Sequence, residues 1–173
     1  MWAVILYRAG QFFRALTARV PEGEIEQAMG ILTPEAQVLF RRQAAQDQRH
    51  ALAVYRALNA AGHTNPHLLA AALLHDVGKA AAPLSVWHRT LIVLLGRFAP
   101  RVLERLGQGG AGRWRQPFVV HARHAETGAR WAGETGCSSL TVTLIQRHHE
   151  RLVSCRTWED DLLAALQAAD NQE

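Results

Sequence analysis

Helix start and stop signals recur along the sequence and constrain its fold more than any other feature. Thr33-Pro34-Glu35 combines an N-cap residue, a proline at the first helical position and an acidic residue in the first turn. Asn65-Pro66 repeats the start signal, and Gly62 and Gly78 stand where helices are expected to end. The apolar–polar alternation of strands is nearly absent, with 140–145 as the one short exception. The sequence therefore predicts an all-α fold.

These signals divide the chain into helices of ordinary length. The helix that begins at Pro117 either breaks near His124 or continues, and it ends before Gly136. The predicted helices cover residues 34–61, 66–77, 84–98, 100–107, 117–135, 139–149 and the chain from 158 onward. A length of 173 residues suits one domain. The composition, with 49% hydrophobic and 20% charged residues, excludes a disordered chain. We expect residues 33–173 to form this single domain and residues 1–32 to add an N-terminal amphipathic helical segment.

The cysteines and the apolar stretches indicate the compartment. Cys137 and Cys155 have neither a pairing framework nor zinc-binding spacing, so we expect free thiols in a reducing environment. The uncharged core of the stretch 84–98, at 91–95, falls far short of the roughly 18 residues of a membrane-spanning helix. We therefore predict a cytoplasmic protein without a transmembrane segment, and a helix at 84–98 that is either buried or partner-facing.

Positive charge leaves the class of partner open. The formal net charge of +4 is compatible with an anionic small substrate, a membrane surface or nucleic acid. In residues 1–20 apolar side chains recur at helical spacing, and arginines occupy other positions. A helix packed on the domain is the favoured interpretation. The alternative is weak binding to a membrane surface, or self-association, through this N-terminal helix.

Histidines and aspartates continue the apolar stripes of several predicted helices. His50 lies on the apolar stripe of its helix, and His75-Asp76 closely follows a run of seven apolar residues. His148-His149 and Asp170 follow apolar residues three and four positions earlier. An unpaired buried carboxylate at Asp76 would cost several kcal/mol, and Asp170 at a helix C-terminus is disfavoured by the helix dipole. Both placements make sense if a cation lies between them, because imidazole and carboxylate together bind divalent metals.

Each of these residues has an ordinary structural interpretation when taken alone. A lone histidine on an apolar face is usually a hydrogen-bonded core residue, His-His pairs occur by chance, and Asp170 could mark a frayed helix end. The ordered set carries the signal. It consists of His50, His75-Asp76 with Gly78-Lys79, His124, His148-His149 and Asp170.

This ordered set resembles the HD superfamily of metal-dependent phosphohydrolases, whose pattern is a histidine, a His-Asp pair and a distant aspartate on a helical bundle. The branch with additional histidines, typified by the HD-GYP phosphodiesterases, is the closer likeness. The matching stretches are His75-Asp76-Val77-Gly78-Lys79, His124-Ala125-Glu126-Thr127-Gly128-Ala129, Gln146-Arg147-His148-His149-Glu150 and Ala168-Ala169-Asp170. The resemblance covers residues 33–171 and implies an HD-type helical bundle.

Two positions depart from that branch. Residues 151–155 replace the Gly-Tyr-Pro stretch that follows His-His-Glu in cyclic di-GMP phosphodiesterases, so the resemblance does not point to that substrate. Gln46 stands where some members place a glutamate for a third metal, which favours two metals over three.

The resemblance implies a role for each residue of the set. The implied ligands are His50, His75, Asp76 and Asp170 for a first metal, and the shared Asp76 with His124, His148 and His149 for a second. Two divalent ions (Mn, Fe, Co, Ni or Zn) would activate a bridging hydroxide for attack on a phosphomonoester or phosphodiester. Asp76 and Lys79 are the implied catalytic residues. Lys79, Arg147 and Arg151 are the implied contacts to a phosphorylated small-molecule substrate, for which a nucleotide is the favoured class.

Two other classes of function stay open at this point. A signalling or scaffold domain could keep the HD fold and its metal without turnover, although the complete set of ligands counts against it. A basic nucleic-acid or membrane adaptor fits the N-terminal helix and the basic charge balance of the chain. It is disfavoured because the chain lacks the interleaved aromatic and basic residues that stack single strands.

Overall fold

The start signals of the sequence cap helices in the computed structural model, which describes residues 21–82, 84–109, 112–152 and 157–172. The Thr33 hydroxyl accepts a hydrogen bond from the backbone N–H of Ala36. The Asn65 side chain accepts from two backbone N–H groups of the helix that follows it. Thr157 and Asp160 form a reciprocal capping box. These helices therefore begin where a side chain replaces the missing partner of the first N–H groups.

Within the described ranges the chain is all-α, as the sequence predicts, with nine α-helices, two 3-10 helices and no strand. The α-helices are α1 (Glu22–Met29), α2 (Pro34–Arg41), α3 (Ala45–Ala60), α4 (Pro66–Leu74), α5 (Val86–Phe98), α6 (Pro100–Gly107), α7 (Gln116–Glu134), α8 (Ser139–Arg147) and α9 (Trp158–Asp170). The 3-10 helices are Val77–Ala81 and Arg113–Arg115. No helix in these ranges is long and apolar enough to cross a bilayer.

Helix α4 lies at the centre of the molecule, because it is apolar on every side. All seven residues from Leu68 to Leu74 are buried, and α3, α8 and α9 pack around them. Full burial of each of the four leucines contributes about 2 kcal/mol. The C-terminal end of this buried helix carries His75 and Asp76, so the core directly positions the polar pair.

The single helix predicted for 34–61 is wrong, because the chain breaks between α2 and α3. Ala44 adopts an extended conformation, and the buried side chain of Gln43 donates to the carbonyl of Leu73. That carbonyl belongs to the last turn of α4, where the helix itself offers no partner. The hydrogen bond spans 30 positions of sequence, and local helix signals do not report such a contact.

The boundary predicted near residue 32 divides elements that share one core. Helix α1 buries Ile25, Ala28 and Met29 in the same cluster as α4.

The segment 1–20, for which an amphipathic helix is predicted, lies outside the described residues, as does Cys155. Cys137 is a half-buried free thiol.

Candidate metal centre

Asp76 stands at the point where α4 ends and the 3-10 helix Val77–Ala81 begins. Its backbone (φ −98°, ψ 2°) leaves the helical conformation, which turns consecutive side chains toward one volume. His75 and Asp76 are 1% and 3% exposed. A carboxylate this deeply buried must be paired, and the residues around it fall into two sets.

The first set comes from α3, α4 and α9. Nε2 of His50 lies 2.8 Å from Oδ1 of Asp170, although the two residues are 120 positions apart. Nε2 of His75 lies 3.4 Å from the same oxygen and 3.6 Å from Oδ2 of Asp76. Candidate ligand atoms of His50, His75 and Asp76 all lie within 4.8 Å of one another. The structure thus brings together the four residues expected around the first metal.

The second set comes from α7 and the end of α8. Nε2 of His124 lies 3.2 Å from Oδ1 of Asp76, and Nε2 of His148 lies 3.9 Å from it. Nε2 of His149 lies 3.0 Å from Nε2 of His124. The ligand atoms of these four residues also fall within 4.8 Å of one another. Asp76 belongs to both sets and directs one oxygen toward each, as expected of a residue shared between two ions.

Three of the imidazoles are oriented by their own helices. Nδ1 of His75, His124 and His148 each bonds the backbone carbonyl three residues earlier, at 2.9, 2.5 and 2.6 Å. A carbonyl only accepts, so Nδ1 of each ring carries a proton, and Nε2 is the nitrogen left to bind a metal. Nε2 of all three rings therefore faces Asp76, in the arrangement that metal-binding histidines use.

Two of those Nε2 atoms are buried polar atoms without a hydrogen-bond partner among the described residues. They belong to His75 and His148. An unsatisfied buried polar atom costs about 1–3 kcal/mol, so its retention calls for an explanation. Two divalent cations, one bound by each set, would satisfy these two nitrogens and both carboxylates. The donor set of five imidazoles and two carboxylates therefore fits a metal centre.

The pKa shifts at the centre favour the protonation states that bind metals. Burial raises the pKa of Asp76, but the neighbouring imidazoles and the Lys79 ammonium outweigh burial and hold that pKa well below its usual range. Burial likewise opposes ionisation of Asp170, whereas its hydrogen bond to His50 and the neighbouring His75 lower its pKa further than burial raises it. Burial lowers the pKa of His148 to about 3 and also lowers the pKa of His149. Near neutral pH both carboxylates are charged and these two imidazoles are neutral.

Two protein groups also supply positive charge to the carboxylates. The Lys79 ammonium contacts Oδ2 of Asp76 across one turn of the 3-10 helix. Burial lowers the pKa of His75, but the charges of Asp76 and Asp170 outweigh burial and raise that pKa overall. A metal ion bound at this centre would compete with the ammonium for Asp76 and with this proton for Nε2 of His75.

A close approach of two backbones fixes the distance between Asp76 and His124. A Cβ atom at Gly78 would lie 2.0 Å from the carbonyl oxygen of His124 and 2.9 Å from the backbone nitrogen of Gly128. The 3-10 helix therefore rests directly on the backbone of α7. Sequence reasoning treats Gly78 as a helix stop and as part of the His75–Lys79 motif, and it does not find this contact. Two glycines, one on each side of the contact, are the signal that would have indicated it.

His121 is a further imidazole at this centre. Its ring stacks on that of His124, with 5.8 Å between centroids. Burial, together with the neighbouring His124 ring and the Lys79 ammonium, lowers the pKa of His121 to about 4. His121 is therefore neutral near pH 7 and lies beside the ligands.

The two arginines expected to contact substrate occupy different environments. The Arg147 guanidinium donates to Glu150 at 2.7 Å and to Asp160 at 3.1 Å, which ties the end of α8 to the start of α9. Arg151 is exposed, four residues after the end of α8. The contacts of Arg147 favour a role in positioning His148 and His149 over direct contact with substrate.

Sequence reasoning missed an ion pair that supports the helix of His50. The Arg89 guanidinium on α5 donates both Nη groups to the buried carboxylate of Asp47, at 2.7 and 2.8 Å. The side-chain amide of Gln46 faces the same guanidinium, and its oxygen can accept from Nη1 at 2.7 Å. Gln46 thus faces an arginine at the position where a third metal ligand would stand. No local pattern connects Asp47 with Arg89, since they are 42 positions apart.

Comparisons of this chain with protein-family models, with curated proteins and with solved structures find no match. The case for the centre therefore depends on its own geometry and chemistry.

Proposed function

We propose that this chain is an HD-type metal-dependent phosphohydrolase that holds two divalent ions and hydrolyses a phosphomonoester or phosphodiester, with a nucleotide as the favoured substrate. One observation carries the proposal. A single buried carboxylate, Asp76, is shared between two sets of imidazoles whose ligand nitrogens lie close to it, and two of those nitrogens, on His75 and His148, have no hydrogen-bond partner among the described residues.

The composition of the donor set narrows the choice of metal. Imidazole nitrogen suits Mn, Fe, Co, Ni and Zn better than Ca or Mg, which prefer oxygen ligands. Two carboxylates offset only part of the charge of two divalent ions, so the occupied centre stays positive and attracts a phosphate. When bound, such ions supply a water of lowered pKa and polarise phosphoryl oxygens.

The residues of the chain supply orientation and charge around that chemistry. Asp76 and Asp170 fix the imidazoles on both sides of the centre, and Lys79 is accessible to a substrate, with 23% of its side chain exposed. From there its ammonium can donate to a phosphate oxygen as negative charge develops in the transition state. Arg151 is the better candidate of the two arginines for contact with substrate, because Arg147 already donates to two carboxylates.

Metal analysis combined with a substrate panel tests the proposal. We expect purified protein to carry close to two equivalents of a transition metal and to release phosphate, or to cleave a chromogenic diester, on a panel of nucleotides. Metal-replete protein that turns over no member of the panel would instead support a non-catalytic domain that retains metal.

A substitution of the shared carboxylate tests the assignment of the ligands. Asp76→Asn keeps the shape of the side chain and removes its charge, so we expect loss of both metals and of turnover while circular dichroism stays unchanged. Asp161→Asn, at an exposed carboxylate of α9, is the matched control and should retain both. Full metal content in Asp76→Asn would show that Asp76 does not bridge two ions.

A further inference from the structure

We propose that the exposed face of helices α5 and α6 docks on an anionic lipid surface. Helix α5 was expected to be buried or partner-facing, and its outer side carries large apolar side chains in contact with water. Trp87, Phe98 and Val93 are 82%, 78% and 70% exposed, and Leu94 is 48% exposed. Ile92 anchors the opposite side of the helix. Exposed aromatic residues in such a group mark a binding surface.

Positive charge surrounds these apolar side chains. Arg97, Arg101 and Arg105 are exposed on the same pair of helices, and no carboxylate in the described ranges forms a salt bridge with them. The Arg97 guanidinium lies 5.8 Å from the centroid of the Phe98 ring. Glu104 is the one acidic residue of α5 and α6. An apolar stripe with tryptophan and phenylalanine, bordered by arginines, is typical of helices that lie in the headgroup region of a bilayer.

The charge of the other available occupants argues against them. Residues 1–20 contain three arginines and no acidic residue, so this segment would bring like charge against Arg97 and Arg101. A second copy of the chain would likewise place one set of arginines near another. A surface of anionic headgroups complements the arginines and also accepts the apolar side chains.

Vesicle flotation with the full-length protein tests the docking surface. The probes are vesicles of equal parts phosphatidylglycerol and phosphatidylcholine, compared with vesicles of phosphatidylcholine alone. We expect wild type to float with the anionic vesicles only, and we expect the double variant Trp87→Ser/Phe98→Ser to lose at least about ten-fold in partitioning. Trp158→Ser, at an exposed tryptophan on α9, is the matched control and should float like wild type.

Charge reversal separates the electrostatic contribution to vesicle binding from the contribution of the apolar side chains. Arg97→Glu/Arg101→Glu should also lose binding, and raised salt should weaken wild-type binding, because arginine–headgroup attraction is screened. Arg41→Glu/Arg130→Glu makes the same change of net charge at exposed positions of α2 and α7 and should keep binding. Circular dichroism checks that every variant is folded.

Several results would overturn the proposal. They include no flotation of wild type, equal flotation with uncharged vesicles, and unchanged binding of Trp87→Ser/Phe98→Ser. Loss of binding in Phe12→Ser/Phe13→Ser alone would assign the contact to the N-terminal segment. A dimer that disappears in Trp87→Ser/Phe98→Ser, without vesicle binding by wild type, would identify a second copy of the chain as the occupant.

Discussion

Gly78→Ala tests whether the contact between the 3-10 helix and α7 holds the candidate metal centre together. The added Cβ would lie 2.0 Å from the carbonyl oxygen of His124, 2.7 Å from its carbonyl carbon and 2.9 Å from the backbone nitrogen of Gly128. All three atoms belong to backbone, so no side chain can rotate away. The two elements must separate by on the order of 1 Å to restore ordinary contact distances.

Overpacking of this kind costs about 1–3 kcal/mol, and the upper end applies here because a backbone has to move. The same movement lengthens the 3.2 Å separation between Oδ1 of Asp76 and Nε2 of His124. We therefore expect Gly78→Ala to lower the midpoint of urea unfolding and to reduce metal content measured by mass spectrometry. Under the proposed two-metal assignment, loss of the metal assigned to His124 should exceed loss of the metal assigned to His50.

Gly133→Ala, on the helix α7 that Gly78 contacts, is the matched control. Its Cβ would lie 3.7 Å from the nearest atom, a methyl group of Val142, which is an ordinary contact. Alanine is favoured over glycine in a helix by up to about 1 kcal/mol, so this variant should be equal to wild type or more stable. If Gly78→Ala matches Gly133→Ala in both stability and metal content, the close approach does not organise the centre. Gly128→Ala, with nearest contacts of 3.2 and 3.3 Å, gives a milder test if Gly78→Ala fails to fold.

Three further measurements address other parts of the molecule. Lys79→Met should keep its metal, because the ammonium competes with a cation for Asp76, and should lower turnover about a hundred-fold; unchanged turnover would remove Lys79 from the mechanism. Arg89→Met leaves the buried Asp47 carboxylate unpaired and should reduce the free energy of unfolding by about 3 kcal/mol. A reduction below about 1 kcal/mol would show that this ion pair is dispensable for stability. The pKa values of His148 and His121 are about 3 and about 4 in the folded chain, below the usual value of 6.5. Between pH 4 and pH 6.5 the unfolded chain therefore binds more protons at these two histidines than the folded chain does. Protein treated with a chelator should therefore lose stability as pH falls from 6.5 to 4, and a urea midpoint that rises over this range would refute the shifts.

The sequence predicts features that depend on local signals better than features that depend on distant contacts. Thr33 and Asn65 cap helices where the sequence indicates, because capping involves only the next few residues. The break between α2 and α3 escapes prediction because it depends on Gln43 reaching a carbonyl of α4. The exposure of Trp87 likewise escapes prediction, because the sequence of an apolar helix does not decide whether that helix is buried or faces a partner.

The candidate site likewise combines features that local sequence signals predict with features that depend on distant contacts. His75-Asp76 and Asp170 can be placed at helix ends from apolar spacing alone, and the structure places them there. His124 differs, because α7 runs through it without the break that the sequence left open, so it faces Asp76 from the middle of a helix. The backbone contact at Gly78 and the Arg89–Asp47 pair required three-dimensional information, because each joins segments more than 40 positions apart.

The hydrogen bonds from the imidazole Nδ1 atoms to carbonyls three residues earlier have a consequence for selectivity among ions. Each of these rings is fixed relative to its own helical turn, so the size of the coordination space depends on how far apart α4, α7 and α8 stand. A core substitution that shifts one of these helices by a few tenths of an ångström is therefore expected to change the preferred ionic radius without touching a ligand.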